Sequence, residues 1–387
     1  MRLTAGEATA TLVGISRRTV MRPNALSVMP ALAGLFLVGC SCNRDNTVNP
    51  QPDPEPAFND IGSWLGLDML PDGSPAVSYY DRTKGGLGFA IGALGTDSIE
   101  WTVEEVDGYP GEDGLNPGDR GTHTDLVAAS DGTVWIAYRD VSNTSLRYAK
   151  RDASGEWDTG VGGSGSGASP DVGQWSSIAL DASENPVISY YDAGAEALRV
   201  SHYTGSGFSA EVVDEGGVGT YSDLLIADGV EYIAYYDAVN GDLKLAVGTE
   251  GSYAIEVVDA EGDVGKWPSI GLQDGVFYIA YQDAENNDLL MATGTPGNWA
   301  TELVDDSDYR GADNEVVFIG GAPAIYTFDG YNNDLLLAEQ TPDAWQIGKV
   351  AGDEAALGFH IEALNVENEV YVASYDYTNR FLFFAAY

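Results

Sequence analysis

Six side chains suited to gripping a sugar or an aliphatic ligand recur at one place in a repeating sequence: His123, Trp175, Tyr221, Trp267, Asp313 and His360. Gly62 is the expected counterpart in the first repeat. Each stands where a Gly- and Asp-rich stretch gives way to an apolar one, so a long loop re-enters a strand there. An aromatic face packs on the apolar face of a sugar, and nearby carboxylates accept its hydroxyl protons. The same residues could instead wedge neighbouring repeats or plug a channel, and the sequence leaves both readings open.

A second recurring set is Asp81, Asp140, Asp192, Asp237, Asp283, Asp329 and Asp376, each closing a motif such as VSYYD or IAYQD. An Asp at the start of a short connection accepts backbone N–H groups and fixes the turn, so these are read as structural. Three connections run Asp-x-x-Asn-x-Asp, from Asp237, Asp283 and Asp329. They are composed like calcium loops but lack the ligand spacing, central Gly and distal Glu of an EF-type site. No metal cofactor is expected, beyond diffuse calcium or magnesium on an acidic surface. Zinc spacing, a phosphate loop and a Ser–His arrangement are absent, and His123, His202 and His360 fall in three different repeats. A non-catalytic role follows, with paired carboxylates of a glycosidase as the competing chemistry.

The elements that must position these residues are repeats. The seven motif Asp residues are 59, 52, 45, 46, 46 and 47 positions apart, and Leu stands six places after each. Every repeat divides into an apolar stretch, a tight turn, the motif strand, a Leu-x-x-Ala strand and a strand carrying an aromatic. Period-two alternation and β-branched residues make these strands. Four antiparallel strands every 46 or so residues predict an all-β chain, a seven-bladed β-propeller. Tight turns belong on one face and the long loops on the other, where function is expected. The seventh repeat stops at Tyr387 after its third strand, so a fourth comes from near Pro56 to Asp60 or is missing.

The Tyr-Asp and Trp-containing repeats, from about residue 60 to 387, resemble the sialidase-like and bacterial-lectin propellers. That resemblance implies a glycan-binding face and, on its enzymatic side, three converging Arg with a Tyr–Glu nucleophile pair. Arg82, Arg120 and Arg310 fall in loops of the expected face but in different repeats. Ser130-Asp131-Gly132-Thr133-Val134-Trp135 is only a distant echo of the sialidase Asp-box.

The N-terminus reads as an address. Arg17, Arg18 and Arg22 precede the apolar run Ala25 to Gly39, too short to span a bilayer. The run ends Leu37-Val38-Gly39-Cys40, which resembles the bacterial lipobox; the resemblance implies cleavage before Cys40 and its lipidation. Ser16 to Met21 is similar to a twin-arginine motif, and a start at Met21 would remove it. Residues 1–39 are thus the export signal, 40–57 a lipidated Cys and Pro-rich tether, and 58–387 the propeller. Ser41 resembles an outer-membrane sorting residue, placing the chain on a bacterial envelope, outer membrane or cell surface.

Sixty acidic against 18 basic residues give a net charge of -42, which argues against nucleic acid because phosphate contacts need Lys and Arg. With two Cys so close together, no disulfide framework holds the fold. The expectation is a lipid-anchored, monomeric, non-catalytic binding or scaffold module for a glycan or protein ligand. A sialidase-like hydrolase and a purely structural surface protein are the alternatives.

Overall fold

A strand flanked by sheets on both sides must be apolar on both faces, and the motif strands are. In the computed structural model, which describes residues 60–387 except 96–97, 112–114, 116, 167–169 and 353–354, all 27 elements are β-strands. They form seven antiparallel sheets in chain order, six of four strands and, among the described residues, a seventh of three. The first motif strand, Pro75–Asp81, is buried at every residue. Ala76, Ala137, Ser189, Ala234 and Ala280 are fully buried beside Tyr138, Tyr190, Tyr235 and Tyr281, small positions that admit large neighbours.

The core lies between blades. Leu87 and Phe89 of blade one meet Leu126, Ile136 and Tyr138 of blade two. Leu65, Val77 and Tyr79 of blade one likewise meet Tyr371 and Phe384 of blade seven, so the ring closes. Ile61 also donates its N–H to the Arg380 carbonyl (3.1 Å), and Tyr375 its hydroxyl to Asp60 (2.6 Å). Asp60 leads straight into the innermost strand of blade one, Ile61–Met69. Residues 56–59, expected to supply the last strand of blade seven, lie outside the described residues, as do Cys40, the export signal and the tether.

Polar bonds stitch the blades at their outer edges. Tyr138, Tyr235 and Tyr281 donate to Asp107, Asp214 and Asp259 of the preceding blade at 2.5, 2.6 and 2.6 Å. Trp157 and Trp299 donate their indole N–H to Glu104 and Glu256 (2.7 and 2.9 Å).

The seven motif Asp residues sit where the second strand turns into the third. Each accepts the backbone N–H of the residue three places on: Lys84, Asn143, Ala195, Asn240, Asn286, Asn332 and Asn379. In five of them an Asn side-chain amide donates to the second carboxylate oxygen. The Asn residues of the calcium-like connections therefore face their Asp as donors. Asp283 has no ion pair among the described residues, so Asp283→Ala removes turn bonds. Three lost bonds to a buried carboxylate should lower stability by about 2 kcal/mol, read by urea denaturation.

Candidate functional site

Seven inner strands surround the axis, and all begin alike. A glycine at positive φ is followed, two residues on, by a second left-handed residue: Trp64, His123, Trp175, Tyr221, Trp267, Asp313 and His360, at φ 47–57°. Pairing with the motif strand slips at each of these starts. Two left-handed residues astride an extended one make a double bulge, which turns the second side chain off the sheet and into the lumen. The first-repeat member is Trp64, a correction to the expectation that Gly62 held that place. Gly62 belongs to the glycine set, with Gly121, Gly173, Gly219, Gly265, Gly311 and Gly358.

Six of the seven ring residues are aromatic, and their rings pack on one another, four pairs tilted and one T-shaped. Centroids lie 4.4 Å apart for His360–Trp64, 3.8 for Trp64–His123, 5.4 for His123–Trp175, 4.9 for Trp175–Tyr221 and 4.4 for Tyr221–Trp267. Each stays half-buried, with one surface open to the lumen. The stack is interrupted once, at Asp313 between Trp267 and His360. The ring thus packs on itself around the axis and leaves one place, at Asp313, without an aromatic.

Beneath the ring is a second tier, two residues further along each strand: Gly66, Asp125, Ser177, Asp223, Ser269, Glu315 and Glu362. Five of its members, Asp125, Ser177, Asp223, Glu315 and Glu362, line with the ring a cavity of about 280 Å³. Four tier members accept a backbone N–H of the next inner strand: Asp125 from Ile178 (2.8 Å), Ser177 from Leu224 (3.2 Å), Asp223 from Ile270 (2.8 Å) and Ser269 from Val316 (3.0 Å). Each inner strand is the edge of its sheet, so its axis-facing N–H groups have no ladder partner, and the tier supplies one. Glu315 accepts only the Ser269 hydroxyl (3.3 Å), and Glu362 no hydrogen bond among the described residues.

No cationic side chain lines the cavity. Burial, with the neighbouring carboxylates, pushes Asp125 up to about 7 and holds Glu315 and Glu362 well above the usual carboxylate range. Burial also lifts Asp313 to about 7, against the His360 backbone N–H that it accepts. The two ring histidines move the other way: burial, with Arg82 nearby, brings His360 down to about 4, and His123 falls well below 6.5. His123 Nδ1 accepts the Trp175 backbone N–H (3.0 Å), which keeps its ring neutral with the proton on Nε2. The lumen therefore holds neutral aromatic rings above carboxyls whose burial favours their protonated form.

All six ring residues named from sequence meet around the axis. Arg82, Arg120 and Arg310 do not join them. Arg120 binds Asp107 and Asp140 (2.7 and 2.9 Å), Arg310 binds Asp305 (2.8 Å), and half-exposed Arg82 faces Asp60 at 3.9 Å. His202 lies away from the lumen, bound to Glu231 (2.9 Å) between blades three and four. Sequence reasoning missed Trp64, the second tier and the glycine set, although Gly-x-ring residue occurs in all seven repeats and was there to be read.

No family model and no curated protein matches the chain. Solved structures do. The polysaccharide lyase Uly1 aligns over 86% of this chain and 90% of its own at 9% identity and TM-score 0.52. The lectin of Aleuria aurantia aligns over 77% and 99% at 14% identity, with TM-score 0.48. The Hadza microbial sialidase Hz136 aligns over 75% of this chain at 12% identity and TM-score 0.48, and the chain spans 66% of its length. The likeness is one of fold.

Proposed function

We propose that the chain is a non-catalytic carbohydrate-binding propeller, exported and held on a bacterial envelope through lipidated Cys40, with its loop face turned outward. The observation that carries the binding role is the notch. In an otherwise continuous stack of half-buried aromatics, one place holds a carboxyl, flanked by Trp267 and His360 and opening on a polar cavity. A pyranose edge enters there with its apolar face on Trp267, and its hydroxyls meet Asp313 and Glu362. A catalytic reading finds less support, because the three loop arginines are engaged by acids of their own blades or their neighbours.

Calorimetric titration against a panel of neutral oligosaccharides tests this. Trp267→Ala should weaken binding by roughly 1–3 kcal/mol while the circular dichroism spectrum stays unchanged. Sugar release from a bound oligosaccharide would make the protein an enzyme, and unchanged affinity in Trp267→Ala would remove the notch as the site. Labelling with a radioactive fatty acid, lost in Cys40→Ala, tests the anchor.

A further inference from the structure

A repeat fold asks the same structural work of every copy, so a sector that abandons the shared solution does something the scaffold does not require. At four of the seven blade junctions, the residue before the motif Asp closes the loop face by binding an acid ahead of the next inner strand. Tyr80 donates to Asp119 (2.7 Å), Arg139 to Asp171 (2.7 Å), Tyr236 to Asp263 (2.5 Å) and Tyr375 to Asp60 (2.6 Å). Between blades five and six, Gln282 donates to the Arg310 carbonyl instead (2.9 Å), and between blades three and four the positions are Tyr191 and Gly217, where no acid is available and Tyr191 packs on Trp175. Between blades six and seven the two positions are Phe328 and Ala356, which can form no such bond.

Aromatic rings occupy that sector. Phe328 stacks on Phe359 with centroids 4.4 Å apart, and Phe359 lies 5.6 Å from Tyr377. Tyr309 lies close against Gly330, where an added Cβ would come within 3.1 Å of the Tyr309 Cβ and 3.5 Å of Phe328. Tyr309 and Tyr377 are 57% and 59% exposed, far more than buried stacking partners would be. The platform adjoins the notch: Phe359 precedes His360, and Phe328 pairs with Ala312, the residue before Asp313.

We infer that this platform extends the binding site, carrying the further units of a neutral pyranose chain whose first unit sits at Asp313. The inference rests on the carbohydrate reading above and deepens it. Exposed flat rings in sequence match the successive C–H faces of a sugar chain. Charge selects the class. Arg310 beside the platform is already held by Asp305 and Asp329, Arg82 faces Asp60, and the cavity below is walled by carboxyls. A uronate or sialylated chain would meet the carboxyls that wall the cavity, and a neutral one keeps its hydroxyls for them.

The test titrates the full chain with cellohexaose, maltohexaose, laminarihexaose and xylohexaose, and with oligogalacturonate and oligoglucosamine as charged probes. Tyr309→Ala combined with Tyr377→Ala should weaken a bound neutral hexasaccharide at least about tenfold and the matching monosaccharide by less than about twofold. Both residues are exposed, so thermal unfolding should not change. Hexasaccharide affinity that survives the double change but falls in Trp267→Ala would overturn the platform and leave the notch standing. Preference for either charged probe would overturn the neutral class, and no binding of any oligosaccharide would overturn the carbohydrate reading and the platform together.

Discussion

Gly265→Ala is expected to lower stability by about 3–5 kcal/mol. Gly265 has φ +100°, and a Cβ there would stand 2.5 Å from the Leu243 Cα. Backbone strain at such a φ costs about 1–3 kcal/mol, and forced overpacking about as much again. Leu243 cannot retreat, because it is fully buried and is the Leu that follows a motif Asp by six places. At five of the seven glycines, Gly62, Gly121, Gly173, Gly219 and Gly265, the first atoms met belong to that Leu of the preceding blade. The glycine and the leucine are therefore one contact, repeated around the ring. Gly275→Ala is the control: φ is +78° and nothing lies within 4 Å, so it should cost about 1 kcal/mol. Urea denaturation of both variants reads the difference, and equal losses would remove the blade contact as the cause.

That glycine set shows where sequence reasoning stops. Strand content and the count of repeats were legible because alternation and the Leu six places after each Asp are one-dimensional signals. The motif Asp turns were legible for the same reason, since donor and acceptor are three residues apart. The ring was found by side-chain type, which is why Gly62 was set in the place of Trp64. Trp and Tyr favour extended backbone, so nothing in their identity announces a left-handed conformation. Position, not propensity, imposes it: the glycine two residues earlier must reach the neighbouring blade, and the chain then has to recover its register.

The second tier was hidden differently. Asp125, Ser177, Asp223 and Ser269 alternate between two residue types, yet three of the four bonds they make join one blade to a backbone N–H of the next at 3.0 Å or less. A common role met by carboxylates and hydroxyls alike leaves no motif. The platform of Phe328, Phe359, Tyr309 and Tyr377 was invisible because it is a departure from the repeat. A reading that searches for recurrence discards such departures. In a scaffold with near-sevenfold symmetry they are where a ligand can tell one sector from another.

Stability should fall as pH rises from 6.5 to 8, by on the order of 3 kcal/mol, and Glu362→Gln should remove a good part of that slope. Asp125, Asp313, Glu315 and Glu362 all have folded values raised above their unfolded ones, so the folded chain holds more protons than the unfolded chain across this interval. For a carboxyl of that kind, stability is lost as pH climbs from the unfolded value through the folded one. Below 6.5 the ring histidines obscure the trend. His123 and His360 are lowered, so the unfolded chain takes up their protons first and stability falls again toward acid. Above 6.5 those two are largely neutral in both states, and the carboxyls act together with His202, whose value, against burial, Glu231 raises and whose proton is likewise lost at a cost as pH climbs. Glu362 is the informative member, because no hydrogen bond rewards its charge, whereas Asp125 and Asp223 each stitch a neighbouring strand. Gln keeps the volume and loses the proton. The variant should match the parent near pH 5 and exceed it at pH 8 by about 1–2 kcal/mol. Denaturation curves at the three pH values measure both, and a parent whose stability is flat or rising between 6.5 and 8 would mean that the tier carries its charges without cost.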